Sequence, residues 1–336
     1  MKQNVLKPGP LLDCNGELSE AGYSLYPART YDRKDIRVKG MRIKEWDYYY
    51  VGNVRQGIAL TVADNDYLWL VSATLFDFER KSELTRSRIG YFPRGKLRMP
   101  SQSDSGDVVF EGKDFSVQFR HESGQRRLLA RFARFDGDRD LECDITLKRT
   151  IKDSLVVAIP FKKKRHFYYN QKINLLKGSG RVRLGYRTFL FEDRTYGVLD
   201  WGRGVWTYSN TWYWASMSGE SNGRLVGFNL GCGFGDTSQA TENIVYYGNR
   251  AYKLDDVAFD IPKTDFLKPW RIYSKSGDID LDFLPILDRH ADTNALILRS
   301  DQHQVFGYFS GTIGPKEDPI PIERMLGFAE KVRNRW

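Results

Sequence analysis

Residues 141–148 read LECDITLK, and the alternation in this stretch decides the fold class. Leu141, Cys143, Ile145 and Leu147 point one way, while Glu142, Asp144, Thr146 and Lys148 point the other. A period of two is what a half-buried antiparallel strand requires, because successive side chains leave the pleat on opposite faces. The same pattern recurs over Phe115 to Phe119 and Ile279 to Phe283. It appears again where Val305, Gly307, Phe309, Gly311 and Ile313 share a face, and the interleaved small and large residues there suit a curved sheet or barrel wall. Polar turn signals separate the runs at short intervals: Asp64-Asn65-Asp66, Asp136-Gly137-Asp138, Ser221-Asn222-Gly223, Tyr247-Gly248-Asn249 and Ser276-Gly277-Asp278. Many short strands with such turns predict an all-β protein of antiparallel sandwiches or barrels. Helical spacing is seen only at the end, where Ile322, Met325, Leu326, Ala329 and Val332 share a face, so a short C-terminal helix is expected to brace a barrel.

The chain has 336 residues, enough for two β domains or one double barrel. Pro160, the basic run Lys162 to Arg165 and Gly178-Ser179-Gly180 put the expected boundary between domains 1–170 and 171–336, with most candidate site residues in the second. Hydrophobic residues at 41% and charged residues at 28% describe a folded globular chain. The net charge of +9 is spread along the sequence, and the basic run reads as a solvated turn, so nucleic acid is not expected as a partner. Three cysteines, Cys14, Cys143 and Cys232, form no closed disulfide framework. No run of apolar residues suffices for a membrane span or signal peptide, and the expected location is cytoplasmic. The four histidines, His121, His166, His290 and His303, show no metal-ligand spacing in sequence, so neither a metal nor another cofactor is expected.

Candidate chemistry concentrates between residues 196 and 243. Asp200-Trp201-Gly202-Arg203-Gly204 carries an acid and a guanidinium three apart, bracketed by glycines that let backbone approach a ligand; the alternative is a structural ion pair at a turn. Trp212 and Trp214 alternate with Tyr213 and Ala215, and either pack a core or floor a cavity. Asn229 lies on the face opposite Val226, Phe228 and Leu230, either solvated or aimed into a polar pocket. GCGFGD (231–236) has neither the spacing nor the following helix of a phosphate loop. Its glycines are expected to permit a bend that re-aims Asp236 and Glu242, with Asn243 beside them. His303 opens a strand at a position suited to a proton relay.

The motifs FYYNQKIN (167–174), LDWGRGVW (199–206), WYWAS (212–216), NLGCGFGDTSQATEN (229–243), HQVFGYFSG (303–311) and the terminal NRW resemble a bacterial family catalogued as domain of unknown function 2804. That family is distantly similar to AttH-like proteins and to carotenoid 1,2-hydratases (hydroxyneurosporene synthases). The resemblance covers nearly the whole chain and implies two lipocalin-like β-barrels side by side. It transfers no catalytic set.

These readings together predict an acid–base enzyme of hydratase, isomerase or cyclase type that needs no cofactor and acts on a hydrophobic small molecule in a barrel cavity. Asp200, Glu242 and Asp236 are the expected proton donors and His303 the relay. Arg203, Trp212, Trp214, Asn229 and Asn243 are the expected substrate contacts. The alternatives are a glycoside hydrolase with paired carboxylates and a non-catalytic lipocalin-like carrier.

Overall fold

The structure is a computed structural model that describes residues 2–39, 41–295 and 298–335. Trp336, which closes the NRW motif, lies outside the described residues. The strand Arg139–Arg149 has the alternation read from its sequence, with Leu141, Cys143, Ile145 and Leu147 buried and Glu142 and Lys148 exposed. Asn222 and Gly223 both take positive φ (50° and 73°) and join Ser209–Ser221 to Arg224–Cys232, as the mirror-image turn of a tight hairpin demands.

Among the described residues the strands form a 13-stranded and a nine-stranded antiparallel sheet, each curled like half a barrel, plus one two-stranded pairing. The first sheet runs from Ser82–Tyr91 through Leu68–Asp77, Gln56–Asp64, Ile43–Gly52, Tyr196–Val205 and Phe167–Leu184 to Arg139–Arg149 and beyond. The second runs from Arg250–Lys253 through Ile244–Tyr247, Arg224–Cys232, Ser209–Ser221, Ile320–Arg335, Leu298–Ile313 and Ile279–Ala295 to Trp270–Tyr273 and Ala258–Asp260. The change of sheet falls between Val205 and Ser209. Phe167–Leu184, which the expected boundary at 170 cuts, is therefore a central strand of the first sheet. Pro160 and the basic run make only a turn between two paired strands, Leu155–Pro160 and Phe167–Leu184, and Lys164 pairs there with Glu17 at 2.9 Å.

Each sheet encloses its own apolar core: Leu60, Phe119, Ile145 and Trp201 belong to one, and Phe228, Leu281, Phe283 and Phe309 to the other. Two further clusters, around Tyr168, Trp206 and Phe234 and around Tyr50, Phe306 and Phe328, join the outer faces of the sheets. A bulge between Ile173 and Leu176 fixes the docking. There Asn174 Nδ2 donates to Ser216 Oγ (2.9 Å) and Phe228 O (3.1 Å), and the Leu175 amide donates to Ser218 Oγ at 3.0 Å.

The expected C-terminal helix is instead the strand Ile320–Arg335, paired on both sides. A register shift opposite Phe309 and Gly311, with Arg324 at φ 47°, inserts an extra residue. Ile322 and Met325 therefore face the same core three residues apart. Beyond the bulge both faces are buried, Ala329 toward the second core and Phe328 toward the first sheet. A bulged, two-sided strand thus reproduces the apolar spacing of a helix.

Candidate functional site

Between the outer faces of the two sheets lies a cavity of about 450 Å³, within the range of small-molecule sites. Strand register builds its walls. In the first sheet Ser72, Thr61, Tyr48, Asp200 and Lys172 stand directly opposite one another on successive strands, so they form one polar row on one face. Lys172 donates from Nζ to Asp200 Oδ1 at 2.8 Å, and Asn170 Nδ2 donates to the same oxygen at 2.6 Å. The next row holds Trp46, Gly202 and Asn170. A Cβ on Gly202 would lie 2.0 Å from the Trp46 ring, so glycine here gives the indole its place over the strand. Trp46 then meets Trp206 edge-on at 5.2 Å and stacks on Tyr168 at 6.1 Å.

The second sheet answers with the row Arg289, Gln304, Glu330, Trp214 and Gly231. Glu330 accepts from Trp212 Nε1 at 3.1 Å and from Gln304 Nε2 at 3.3 Å. Gln304 also donates to the Tyr48 hydroxyl of the first sheet at 3.1 Å, and Arg289 donates to Thr85 Oγ1 (3.4 Å) and Gln304 Oε1 (3.3 Å). Lys172 Nζ lies 3.9 Å from the centroid of the Trp214 ring, so a first-sheet cation sits on a second-sheet π face.

The GCGFGD loop supplies the remaining pieces. Gly231 leaves room for the Glu242 carboxylate, whose Oε2 would lie 2.7 Å from a Cβ there. Phe234 packs edge-on against Trp206 (4.7 Å), Tyr168 (4.8 Å) and Trp212 (5.2 Å). The Tyr168 hydroxyl helps hold the Glu242 carboxyl down, and Glu242 Oε1 is buried without a hydrogen-bond partner among the described residues. Burial pushes the Glu330 carboxyl up to about 7, against the opposing pull of the Trp212 bond and of Lys172. Burial also raises Glu242, again opposed first by Lys172. Two carboxyl groups are thus biased toward the protonated form inside an aromatic wall.

Of the residues singled out in sequence, Asp200, Glu242, Trp212 and Trp214 converge on this cavity. Asn229 and Asn243 lie behind it. Asn229 accepts from Trp214 Nε1 at 2.6 Å and donates to Glu242 O at 2.7 Å. Asn243 accepts from the Gly231 amide at 2.8 Å and donates to Asp255 O at 2.7 Å. Neither carboxamide lines the cavity; Asn229 braces Trp214 and Glu242, which do.

Arg203 does not line the cavity and does not pair with Asp200. The segment is a strand and not a loop, so its side chains alternate. Arg203 turns into the first core, where it binds Asp47 Oδ1 at 3.0 Å. His303 likewise faces away from the cavity, because Gln302 and Gln304 on either side of it point in. Asp236 is exposed and accepts from the Ser238 amide at 3.0 Å, a bond that holds its carboxyl low. Asp236→Asn should leave folding and any turnover within about 0.5 kcal/mol of wild type, checked by thermal denaturation and rate.

Lys172, Glu330, Gln304, Arg289, Tyr48, Tyr168, Trp46 and Phe234 escaped the sequence reading. One signal was present. FYYNQKIN places Asn170, Gln171, Lys172 and Asn174 in a strand that is otherwise apolar on both faces, a costly choice unless those groups meet partners.

The fold and the cavity together define an all-β protein of two curled antiparallel sheets around an aromatic chamber with buried acids. The chain belongs to the family described as Domain of unknown function (DUF2804), whose profile matches residues 2–336. Among solved structures it is similar to an AttH-like protein from Nitrosomonas europaea, with 12% identity, a TM-score of 0.53, and 91% of this chain and 97% of that one covered. It is also similar to kievitone hydratase from Nectria haematococca, with 11% identity, a TM-score of 0.53, and 92% and 96% covered. At these identities the likeness is one of fold. No curated protein matches the chain in sequence. The family resemblance and the lipocalin-like two-sheet architecture read from the motifs are both borne out. Among the described residues no helix is long and apolar enough to cross a membrane.

Proposed function

We propose that this protein is an acid–base enzyme of the hydratase, isomerase or cyclase type, acting on a hydrophobic small molecule held between the two sheets. The observation that carries this reading is Glu330. It is a buried carboxyl pushed to about 7, so a substantial fraction keeps its proton at neutral pH and can give it up to a bound substrate. Protonation of an alkene or polarised double bond leaves a cation-like centre, which the π faces of Trp206 and Trp212 stabilise. In hydration, water adds to that centre and its surplus proton returns to the Glu330 carboxylate. In isomerisation or cyclisation, a neighbouring carbon loses the proton instead. Asp200, held by Lys172 and Asn170, supplies fixed negative charge beside the developing cation.

A pure carrier has no use for this arrangement, because burying Asp200, Lys172, Glu242 and Glu330 costs stability that an apolar lining would not. The fold shared with a hydratase agrees with the reading by analogy. A test that needs no prior substrate is incubation with a panel of unsaturated apolar compounds in D2O. Solvent deuterium appears in the substrate if the acid–base reading is right. Asp200→Asn and Glu242→Gln should each lose about 10²-fold or more of that exchange while still binding the same compound. Binding without exchange in wild type would mark a carrier, and release of sugars from oligosaccharides would mark a glycosidase.

A further inference from the structure

The long hairpin Ile279–Ala295 and Leu298–Ile313 has two chemically different faces. Arg289, Gln302 and Gln304 look into the cavity. On the opposite face stand Asp288, His290, Asp301 and His303. Antiparallel register sets His290 directly across from His303, and Asp301 precedes His303 by two residues on the same face. A residue, its i+2 neighbour and a cross-strand partner project from one patch of sheet and converge above it.

The distances suit a divalent metal. His290 Nε2 lies 3.0 Å and His303 Nε2 3.5 Å from the same Asp301 oxygen, and the three donor atoms lie within 4.8 Å of one another. Ligand atoms around a tetrahedral zinc with bonds of about 2.0–2.1 Å are about 3.4 Å apart. The surroundings of His303 make the same point. Its Nδ1 is held by Asp288 Oδ2 at 2.8 Å, which keeps the proton on Nδ1 and the lone pair on Nε2, facing Asp301. Phe266 stacks on the ring at 3.8 Å and fixes its orientation. The His290 ring lies parallel to it at 4.0 Å, so this half-exposed imidazole must turn out of the stack to aim its in-plane lone pair at an ion shared with His303. Asp292 stands opposite Asp301 and adds a further carboxylate to this face. Lys331 and Arg333 on the neighbouring strand balance part of the negative charge.

We propose that His290, His303 and Asp301 bind one Zn(II)-like divalent ion, with Asp288 orienting His303. Two imidazoles and a carboxylate favour zinc and its first-row neighbours over magnesium or calcium. The ion does not enter the cavity. It pins the hairpin whose other face forms a cavity wall, so its role is structural. The site stands independently of the proposed acid–base activity.

The test uses the full chain without an affinity tag, treated with EDTA and titrated with Zn²⁺ by calorimetry and with Co²⁺ by visible absorption. One equivalent should bind, Co²⁺ should give the intense absorption of a tetrahedral site, and Zn²⁺ should raise the thermal midpoint. Asp288→Asn should weaken binding about 10- to 100-fold, His290→Ala and Asp301→Asn should each weaken it by more than that, Cys14→Ser should leave it intact, and Mg²⁺ should not compete. His290 is half-exposed, so its removal leaves the fold in place and the comparison interpretable. Equal zinc affinity in wild type and His290→Ala, or no zinc binding by folded wild type, would overturn the proposal.

Discussion

Glu330→Gln should lower turnover by about 10²- to 10⁴-fold, keep the cavity's affinity for ligand, and make the protein more stable at alkaline pH. The carboxyl has an ordinary value near 4.5 in the unfolded chain and about 7 in the folded one. Between those values the unfolded chain releases the proton while the folded protein keeps it, so stability falls as pH rises through this window and levels off above it. The full cost is about 3 kcal/mol. Glutamine is neutral at every pH, keeps an oxygen for Trp212 Nε1 and escapes this cost. Its advantage over wild type should therefore be absent near pH 4 and grow to a few kcal/mol by pH 8, measured as chemical denaturation midpoints across that range. Wild-type turnover should fall as pH passes 7, because the donor is then ionised. A variant that keeps wild-type turnover would remove Glu330 from the mechanism, and parallel stability profiles would show that its carboxyl is not buried as acid.

The loss of activity and the gain in stability come from the same cause, which separates this prediction from simple damage to the fold. A substitution that merely loosened the cavity would lower both. Gln304 donates to Tyr48 and Glu330 at once, while its own oxygen accepts from Arg289. Turning that amide toward the substituted carboxamide would cost the Arg289 bond, so the stability gain is read net of one lost hydrogen bond.

Much of the architecture was legible because a half-buried strand prints its period directly. LECDITLK reads as it folds, and Asn222-Gly223 announces its hairpin. Trp212 and Trp214 were placed on one face, and that face lines the cavity. What escaped had physical causes. A bulge at Arg324 turned a strand's period into a helix's. The glycines around residues 200–204 resemble a loop, yet Gly202 makes room for Trp46 and Gly204 lies where a Cβ would come 2.5 Å from Phe167 O. Glu330 and Lys172 sit in two-sided strands, where burial hides which face a residue takes. His290 and His303 lie thirteen apart in sequence and directly opposite in the hairpin, a juxtaposition that register creates and spacing cannot reveal.

Arg203 shows the same lesson on a larger energetic scale, and Arg203→Met should cost about 3–5 kcal/mol of folding stability. The guanidinium is fully buried. Nη1 donates to Trp46 O and Gly202 O, both at 2.8 Å; Nη2 donates to Asp47 Oδ1 at 3.0 Å and Pro100 O at 2.9 Å. Its Cζ lies 4.2 Å from the centroid of the Trp201 ring. Methionine fills the apolar part of that volume but leaves three carbonyls without their donor and Asp47 without its counter-charge. Burial already raises the Asp47 carboxyl, and Arg203 is the strongest influence holding it down. Without the guanidinium Asp47 must take up a proton to remain buried, so the loss should be greatest above the ordinary carboxylate range and shrink in acid. Denaturation at pH 4 and pH 8 reads this directly, alongside ligand binding at a temperature where both proteins are folded. Unchanged stability with lost binding would return Arg203 to the substrate role its sequence position suggests. A large, pH-dependent loss with binding intact would place it in the frame that holds the Trp46 strand, and with it one wall of the cavity.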